Sequence, residues 1–230
     1  MRTLTATLLF APLLVLTACG PTETPATDDA ATVQATEPAP APDKAAEPTA
    51  GLRIGDVAPD FELTGTDDTV HSLATTMDAK GEAPKGYVVT FTCNTCPYAK
   101  MYEERLVALH DELSPRGYPV IAIQPNDTEI KPGDNLAAMK ERAAEKGFGF
   151  AYVIDAEQTV YPQYGASKTP EIYLLDADRV LRYHGAIDDS AQDADAVTKR
   201  YVVMAVDALE SGEAPEPAEV KAIGCSIKAK

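Results

Sequence analysis

Two cysteines separated by two residues are the most reactive pattern in this sequence. A β-branched and aromatic run at 86–92 precedes Cys93 and predicts a buried strand, and Pro97 fits the first turn of a following helix. At such a junction, unpaired helix amides and the helix dipole stabilise a thiolate at Cys93, and Cys96 follows one turn later. This spacing favours thiol–disulfide exchange, with Cys93 as the nucleophile and Cys96 as the resolving thiol.

Two other roles of a Cys-x-x-Cys pair stay open at this point: a structural disulfide and part of a metal site. Zinc sites normally use four ligands, and the sequence has no second Cys-x-x-Cys and no His-x-x-x-His pattern. A copper site made from both cysteines and one of the three histidines is conceivable, because soft thiolates suit Cu(I). A copper metallochaperone is therefore the non-enzymatic alternative. For the enzymatic interpretation we expect no cofactor and no resident metal.

The segments around the cysteines alternate between strand and helix patterns. Strands are predicted at 86–92, 119–123, 150–154, 171–176 and 180–184. Helices are predicted at 98–113, 135–146 and 195–211, with a helical or irregular segment at 160–165. The order predicts an α/β fold with helices on both faces of a central sheet. The segment 55–63 would add an N-terminal β-hairpin.

A proline stands immediately before the predicted strand 171–176. Proline cannot donate a ladder hydrogen bond, so Pro170 is tolerated at a strand start, where the bond from Thr169 can be cis. A Thr-Pro pair before a strand, with a strand–Cys-x-x-Cys–helix unit upstream, resembles the thioredoxin fold. The resemblance implies a central mixed sheet and a cis Pro170 that packs beside the active-site sulfurs. It also implies that the Thr169 backbone is free to pair with an extended substrate.

Three segments resemble particular families within the thioredoxin fold. Residues 55–61 resemble the opening of peroxiredoxins and related redoxins. Residues 92–98 and 224–228, which contain the cysteines, are similar to the peroxiredoxin-like thioredoxin-family proteins. Members of that group often carry histidine where this chain has Thr95. A histidine there helps to stabilise the thiolate, so its absence argues against a strongly oxidising couple.

A thiol peroxidase is the main alternative activity that this resemblance raises. Peroxiredoxins bind peroxide with a Pro-x-x-x-Thr-x-x-Cys motif and a distant arginine. Thr90 and Cys93 supply the second half of the motif, but Gly86 stands where the proline belongs and Pro170 where the arginine belongs. Without a guanidinium, nothing evident stabilises the charge on the leaving oxygen. We therefore expect exchange or reduction of disulfides in exported proteins or small molecules, with an unidentified thiol as electron donor.

Cys225 is a third candidate thiol of the domain. It follows a proline-rich stretch at 213–219, so a mobile tail could bring it to Cys93 or Cys96. There it would receive their disulfide as a relay thiol. It could also be an isolated buried thiol, which behaves as a small hydrophobe.

The N-terminal residues have the composition of an export signal followed by a tether. Residues 1–18 combine a positive start with an apolar run too short to span a bilayer, and their end resembles the lipobox of bacterial lipoprotein precursors. The resemblance implies cleavage before Cys19, whose sulfur carries diacylglycerol, and Gly20 fits the pattern sent to the outer membrane. Residues 19–50 are acidic and rich in Pro and Ala, which predicts a disordered tether. Residues 51–230 then form one domain with a cysteine-containing tail, anchored by lipid in the bacterial cell envelope and facing the periplasm.

The charge of the chain restricts its partners. The 230 residues carry a formal net charge of −16. An acidic protein repels phosphate backbones, so nucleic acid is not an expected partner, and the lipid anchor supplies the expected membrane contact.

Overall fold

The computed structural model describes residues 51–230. The predicted signal peptide, the lipidation of Cys19 and the tether lie outside these residues. The strands are β1 Leu63–Gly65, β2 Val70–His71, β3 Gly86–Phe91, β4 Val120–Gln124, β5 Ala151–Ile154, β6 Lys168–Thr169, β7 Glu171–Asp176, β8 Leu181–Gly185, β9 Glu219–Val220 and β10 Cys225–Ser226. The α-helices are α1 Pro97–Leu113, α2 Leu136–Lys146, α3 Val160–Tyr164 and α4 Tyr201–Glu210. Among these, no helix is both long and apolar enough to cross a membrane.

Eight of the strands form one mixed sheet in the order β2-β1-β5-β4-β3-β7-β8-β9. β3 lies near its centre, parallel to β4 and antiparallel to β7, and all six of its residues are buried. Phe91 at the end of β3 is opposite Ile123 near the end of β4. The loops that follow these two strands therefore emerge side by side at one edge of the sheet, where ligands and reactive groups collect in α/β proteins.

Both faces of the sheet are covered, as the sequence predicted. Residues of α1, α2 and α4 pack on one face, among them Tyr102, Met139 and Val202. The N-terminal segment and the short helix α3 cover the other face. There the rings of Phe91 and Tyr164 meet edge to face with their centroids 5.5 Å apart.

Helix α1 begins where the sequence predicts, with Pro97 as its first residue and Cys96 immediately before it. Its buried side chains recur at helical spacing and are Ala99, Tyr102, Glu103, Leu106, Leu109 and Leu113. Met101, which the sequence placed with the apolar residues of this helix, is instead 48% exposed. Its position lies off the buried stripe.

Two predicted element boundaries are wrong. The N-terminal hairpin is formed by β1 and β2 and starts at Leu63, because residues 55–58 are bound to the turn between β7 and β8. The last helix, predicted from residue 195, starts at Tyr201. The carboxylate of Asp189 accepts hydrogen bonds from the backbone and hydroxyl of Thr198, which holds the preceding segment in a loop.

Candidate active site

Cys93 and Cys96 lie at the junction of β3 and α1, as the spacing predicts. Both are free thiols and both are almost fully covered, with exposed fractions of 3% and 4%. Together with Ala99 they form a small apolar cluster against which Cys225 packs. The two thiols lie close enough for each to shift the pKa of the other. A dithiol in this arrangement can close to a disulfide without a large rearrangement of the chain.

The Thr169–Pro170 segment lies directly against the two sulfurs. The Sγ atom of Cys96 is 3.2 Å from the Thr169 carbonyl oxygen, to which the thiol donates when it is protonated. The Sγ atom of Cys93 is 3.5 Å from Thr169 Oγ1. The Thr169–Pro170 peptide bond is cis, as the resemblance implied. The structure thus brings together the two residue pairs that the sequence singled out.

The C-terminal segment also reaches this site, where it pairs with other strands of the domain. Residues 219–228, which we call the C-terminal strap, begin in β9 beside β8 and continue through β10. In β10, Cys225 pairs with Thr169 and Ser226 pairs with Lys168 in an antiparallel ladder. The Cys225 side chain packs against the cluster that contains Cys96, and burial and this neighbour raise the pKa of Cys225. The sequence predicted that Cys225 could reach the site but supplied no sign of these two short strands.

The dipeptide between the cysteines is fixed by hydrogen bonds to the rest of the domain. The side-chain amide of Asn94 donates to the Gly133 carbonyl at 3.0 Å, and its oxygen accepts from the Tyr152 hydroxyl at 2.9 Å. Thr95 donates both its backbone N–H and its hydroxyl to the Asp134 carboxylate, each at 2.9 Å. These bonds hold the loop that carries both sulfurs.

Asp134 is the functional residue that sequence reasoning missed. Its carboxylate is fully buried and accepts a further hydrogen bond from the Asn126 amide at 2.9 Å, so its charge is well solvated by donors. Gln124 supports the same turn by donating to the Asp134 carbonyl at 2.9 Å. One available signal was that the polar segment 126–134 follows β4, and the carboxyl ends of neighbouring parallel strands share an edge.

The pKa values of the two thiols diverge. The hydrogen bond to Cys96 raises the pKa of Cys93 well above its ordinary value, and burial and the Asp134 carboxylate raise it further. The same hydrogen bond lowers the pKa of Cys96 to about 4, and contacts from the Cys225 thiol and the Ala99 amide also lower it. The interaction between the two thiols therefore favours ionisation of Cys96 over ionisation of Cys93. The sequence analysis predicted that the amides and dipole of the helix would stabilise a thiolate at Cys93. In the structure, Cys96 is the cysteine that immediately precedes α1.

The features required by the alternative activities are not assembled around these sulfurs. Within residues 51–230, no group of three or more His, Cys, Asp or Glu side chains is placed to hold a metal ion. Arg179, the arginine nearest in sequence to the expected peroxidatic position, forms an ion pair with Asp60 at 3.3 Å. The Thr90 hydroxyl is buried and makes no hydrogen bond, so it does not hydrogen-bond to Cys93.

A dithiol between a central strand and a helix, beside a cis proline on a mixed sheet, defines a thioredoxin-fold redox protein. Residues 54–184 match the AhpC/TSA family, and the chain belongs to that family. The match includes Cys93, Cys96, Thr169 and Pro170, and it ends before the C-terminal strap.

Solved structures resemble the domain over most of its length. An uncharacterized conserved protein from Geobacillus kaustophilus is 37% identical, with 77% of this chain and 93% of that chain covered and a TM-score of 0.70. A hypothetical protein from Sinorhizobium meliloti 1021 is 32% identical, with 78% and 96% covered and a TM-score of 0.71. Peroxidoxin BcpB from Mycobacterium tuberculosis is 18% identical, with 61% and 90% covered and a TM-score of 0.50, and shares the fold. The search of curated proteins found no match.

Proposed function

We propose that this protein is a thiol–disulfide oxidoreductase of the bacterial cell envelope that exchanges or reduces disulfides through Cys93 and Cys96. One observation carries the proposal: both cysteines lie in one small cluster at the junction of β3 and α1, with both sulfurs against Thr169. Membership of the AhpC/TSA family supports redox chemistry at Cys93 and leaves the substrate open.

In the first step, Cys93 attacks one sulfur of the substrate disulfide. We assign Cys96 as the general base that takes this proton, because the interaction between the two thiols favours ionisation of Cys96. The substrate S–S bond breaks, a Cys93–substrate mixed disulfide forms, and the second substrate sulfur leaves as a thiolate.

In the second step, Cys96 returns its proton to the departed thiolate and attacks the Cys93 sulfur. The mixed disulfide breaks, the Cys93–Cys96 disulfide forms, and the remaining substrate sulfur leaves. Two electrons pass from the dithiol to the substrate in each cycle. A thiol donor of the envelope then reduces the Cys93–Cys96 disulfide.

Cys225 extends this cycle as a relay thiol. Its packing against Cys96 supports attack of Cys225, whose proton passes to the solvent, on the Cys96 sulfur of the Cys93–Cys96 disulfide. The Cys93–Cys96 bond breaks, a Cys96–Cys225 bond forms, and Cys93 is released as a thiolate. No electrons are gained or lost in this rearrangement. It moves the disulfide from two buried residues to a pair that includes the partly exposed Cys225.

Reduction of a protein disulfide such as those of insulin tests the proposal directly. The wild-type protein with an added dithiol should reduce insulin faster than the dithiol alone, and Cys93→Ser should abolish the gain. Cys96→Ser should instead accumulate a mixed disulfide at Cys93, detectable by mass spectrometry. A Cys93→Ser variant as active as the wild type would contradict the proposal.

The same protein distinguishes the two alternatives. A peroxidase would oxidise Cys93 with hydrogen peroxide much faster than a free cysteine reacts. A copper chaperone would bind Cu(I) stoichiometrically through Cys93 and Cys96 in preference to reducing a disulfide. We expect neither result, because Pro170 stands where the peroxide-binding arginine belongs and no group of three or more His, Cys, Asp or Glu side chains among the described residues is placed to hold a metal ion.

The envelope location rests on the N-terminal sequence. Expression of the full chain in a Gram-negative host should place it in the membrane fraction, labelled by fatty acid at Cys19. Cys19→Ala should release it from that fraction without changing its thiol chemistry. Recovery of the wild-type chain in the cytoplasm would contradict this part of the proposal.

A further inference from the structure

The two reactive sulfurs are covered by a segment that has no fully buried residue of its own. Cys93 and Cys96 are 3% and 4% exposed, whereas no residue of the C-terminal strap is buried. Ile223 in the middle of the strap is 51% exposed. A cavity of about 320 Å³ lies under its first half, lined by residues that include Lys168, His184 and Val220. Segments with so little buried apolar surface open at low free-energy cost.

The strap is held by backbone hydrogen bonds and by the packing of Val220, Cys225 and Ile227 against the core. At one end, β9 pairs with β8, where any side chain at Gly185 would collide with the Val220 carbonyl. At the other end, the Lys228 carbonyl accepts from the Gln158 side chain at 2.9 Å and from the Asp127 backbone at 2.8 Å. Between these anchors, β10 pairs with β6. Opening the strap would therefore leave an unpaired strand edge beside the two sulfurs.

Gly224 fits this edge because it has no side chain. A Cβ atom at residue 224 would lie 2.3 Å from the Thr169 carbonyl oxygen and 2.6 Å from its carbonyl carbon. That carbonyl belongs to the backbone next to Cys96 and cannot move aside as a flexible side chain would. An occupant that places a cysteine where Cys225 lies must therefore carry glycine immediately before it.

We propose that the C-terminal strap occupies the sheet edge at which a polypeptide substrate docks. The substrate is an extended segment with a Gly-Cys sequence, and its cysteine is in a disulfide. Such a segment enters by displacing β10 and pairing with Lys168 and Thr169, as β-strands do when they extend a sheet edge. The proposal rests on the proposed function and adds its substrate class. The strap then slows the reaction of Cys93 and Cys96 with disulfides whose chain cannot form the same ladder.

Alkylation by N-ethylmaleimide measures access to the sulfurs independently of any redox activity. Gly224→Ala places a methyl group against the Thr169 carbonyl and should raise the alkylation rate of Cys93 and Cys96 by about tenfold, the effect of losing about 1.4 kcal/mol of strap pairing. Gly149→Ala is the matched control, since its Cβ atom would be 3.7 Å from the nearest side-chain atom. It should leave the rate unchanged.

Gln158→Ala provides a second way to loosen the strap should Gly224→Ala fold poorly. It removes the hydrogen bonds from Gln158 to the Lys228 carbonyl and from the Lys230 amide to Gln158, without touching the sulfurs. Alkylation should again be faster than in the wild type. Equal rates in the wild type and in a folded variant of either kind would overturn the covering role.

A synthetic peptide of residues 221–230 carrying Cys225→Ser tests the docking edge. Added at millimolar concentration to the Gly224→Ala protein, it should slow alkylation of Cys93 several-fold, while the same peptide with an additional Gly224→Ala change should not. No protection by the glycine peptide, or equal protection by both, would overturn the proposed substrate class. Faster alkylation without reduction of any disulfide, including that of a Gly-Cys peptide, would instead contradict the proposed function and leave the strap as a cover.

Discussion

Thr95 donates both its backbone N–H and its hydroxyl to Asp134, a carboxylate that is fully buried. The contact joins the loop between the cysteines to the turn after β4. It also places a fixed negative charge beside a dithiol that carries a negative charge of its own once Cys96 is ionised. The carboxylate therefore destabilises the negatively charged reduced form relative to the uncharged disulfide. This lowers the redox potential, so the couple is more reducing.

Replacement of this charge should shift the redox potential. Asp134→Asn should raise the potential of the Cys93–Cys96 couple by tens of millivolts, since about 1.4 kcal/mol of stabilisation of the reduced form corresponds to about 30 mV. It should also lower the pKa of Cys93, which the carboxylate raises. Equilibration with a glutathione or dithiothreitol buffer measures the potential.

Asp155 supplies a matched control for that experiment. It is equally buried, and its carboxylate accepts hydrogen bonds from the backbone of Thr159, Val160 and Tyr161 at the start of α3. Asp155→Asn and Asp134→Asn should each cost about 1–3 kcal/mol of stability through mismatched hydrogen bonds. Only Asp134→Asn should move the potential, and equal potentials in the two variants would contradict the argument.

Ultraviolet absorbance should detect one thiolate in the reduced protein at neutral pH. The signal belongs to Cys96 and should vanish as the pH falls through about 4. Since the folded protein releases this proton at lower pH than the unfolded chain does, the reduced protein should gain stability as the pH rises from about 4 toward the ordinary value of a thiol. Cys96→Ser should remove the signal. A first thiolate that forms only in the ordinary range of cysteine would refute the assignment.

The Asn94–Tyr152 hydrogen bond should contribute to both stability and loop geometry. Tyr152 is 1% exposed, and its hydroxyl donates to the Asn94 side-chain oxygen at 2.9 Å. Asn94→Ala leaves the buried hydroxyl unpaired and should cost about 1–3 kcal/mol, measured by urea unfolding. Adding Tyr152→Phe should recover part of that loss, because it removes the unpaired group. Strictly additive costs would show that the two side chains do not interact.

Glu171 should make the loop before Thr169 sensitive to acid. Burial raises the pKa of Glu171, but the hydrogen bond from His184 and those from the Ser167 and Lys168 amides outweigh it and hold the pKa below its usual range. The stabilisation is therefore present above the pKa of an unfolded glutamate and is lost as the pH falls through the lower folded value. Glu171→Gln should destabilise the protein most at neutral pH, with a difference that shrinks in acid. A difference independent of pH would contradict this role.

The local parts of the site were predictable from the sequence because short stretches of chain determine them. The spacing of Cys93 and Cys96, a β-branched run before them and Pro97 after them are sufficient to predict a dithiol between a strand and a helix. Pro170 at a strand start was likewise readable, and the thioredoxin resemblance indicated that it would lie beside the sulfurs.

The partners of these residues depend on contacts between distant parts of the chain. Asp134 reaches Thr95 because the parallel pairing of β3 and β4 brings the following loops to one edge. Cys225 reaches Cys96 because β10 pairs with β6, in two-residue strands too short to produce a sequence pattern. Local periodicity reports which face of a strand or helix is apolar, but it carries no information on which strands become neighbours. For that reason the reactive pair could be predicted from the sequence. The buried carboxylate beside it and the C-terminal strap that covers it became evident only in the folded domain.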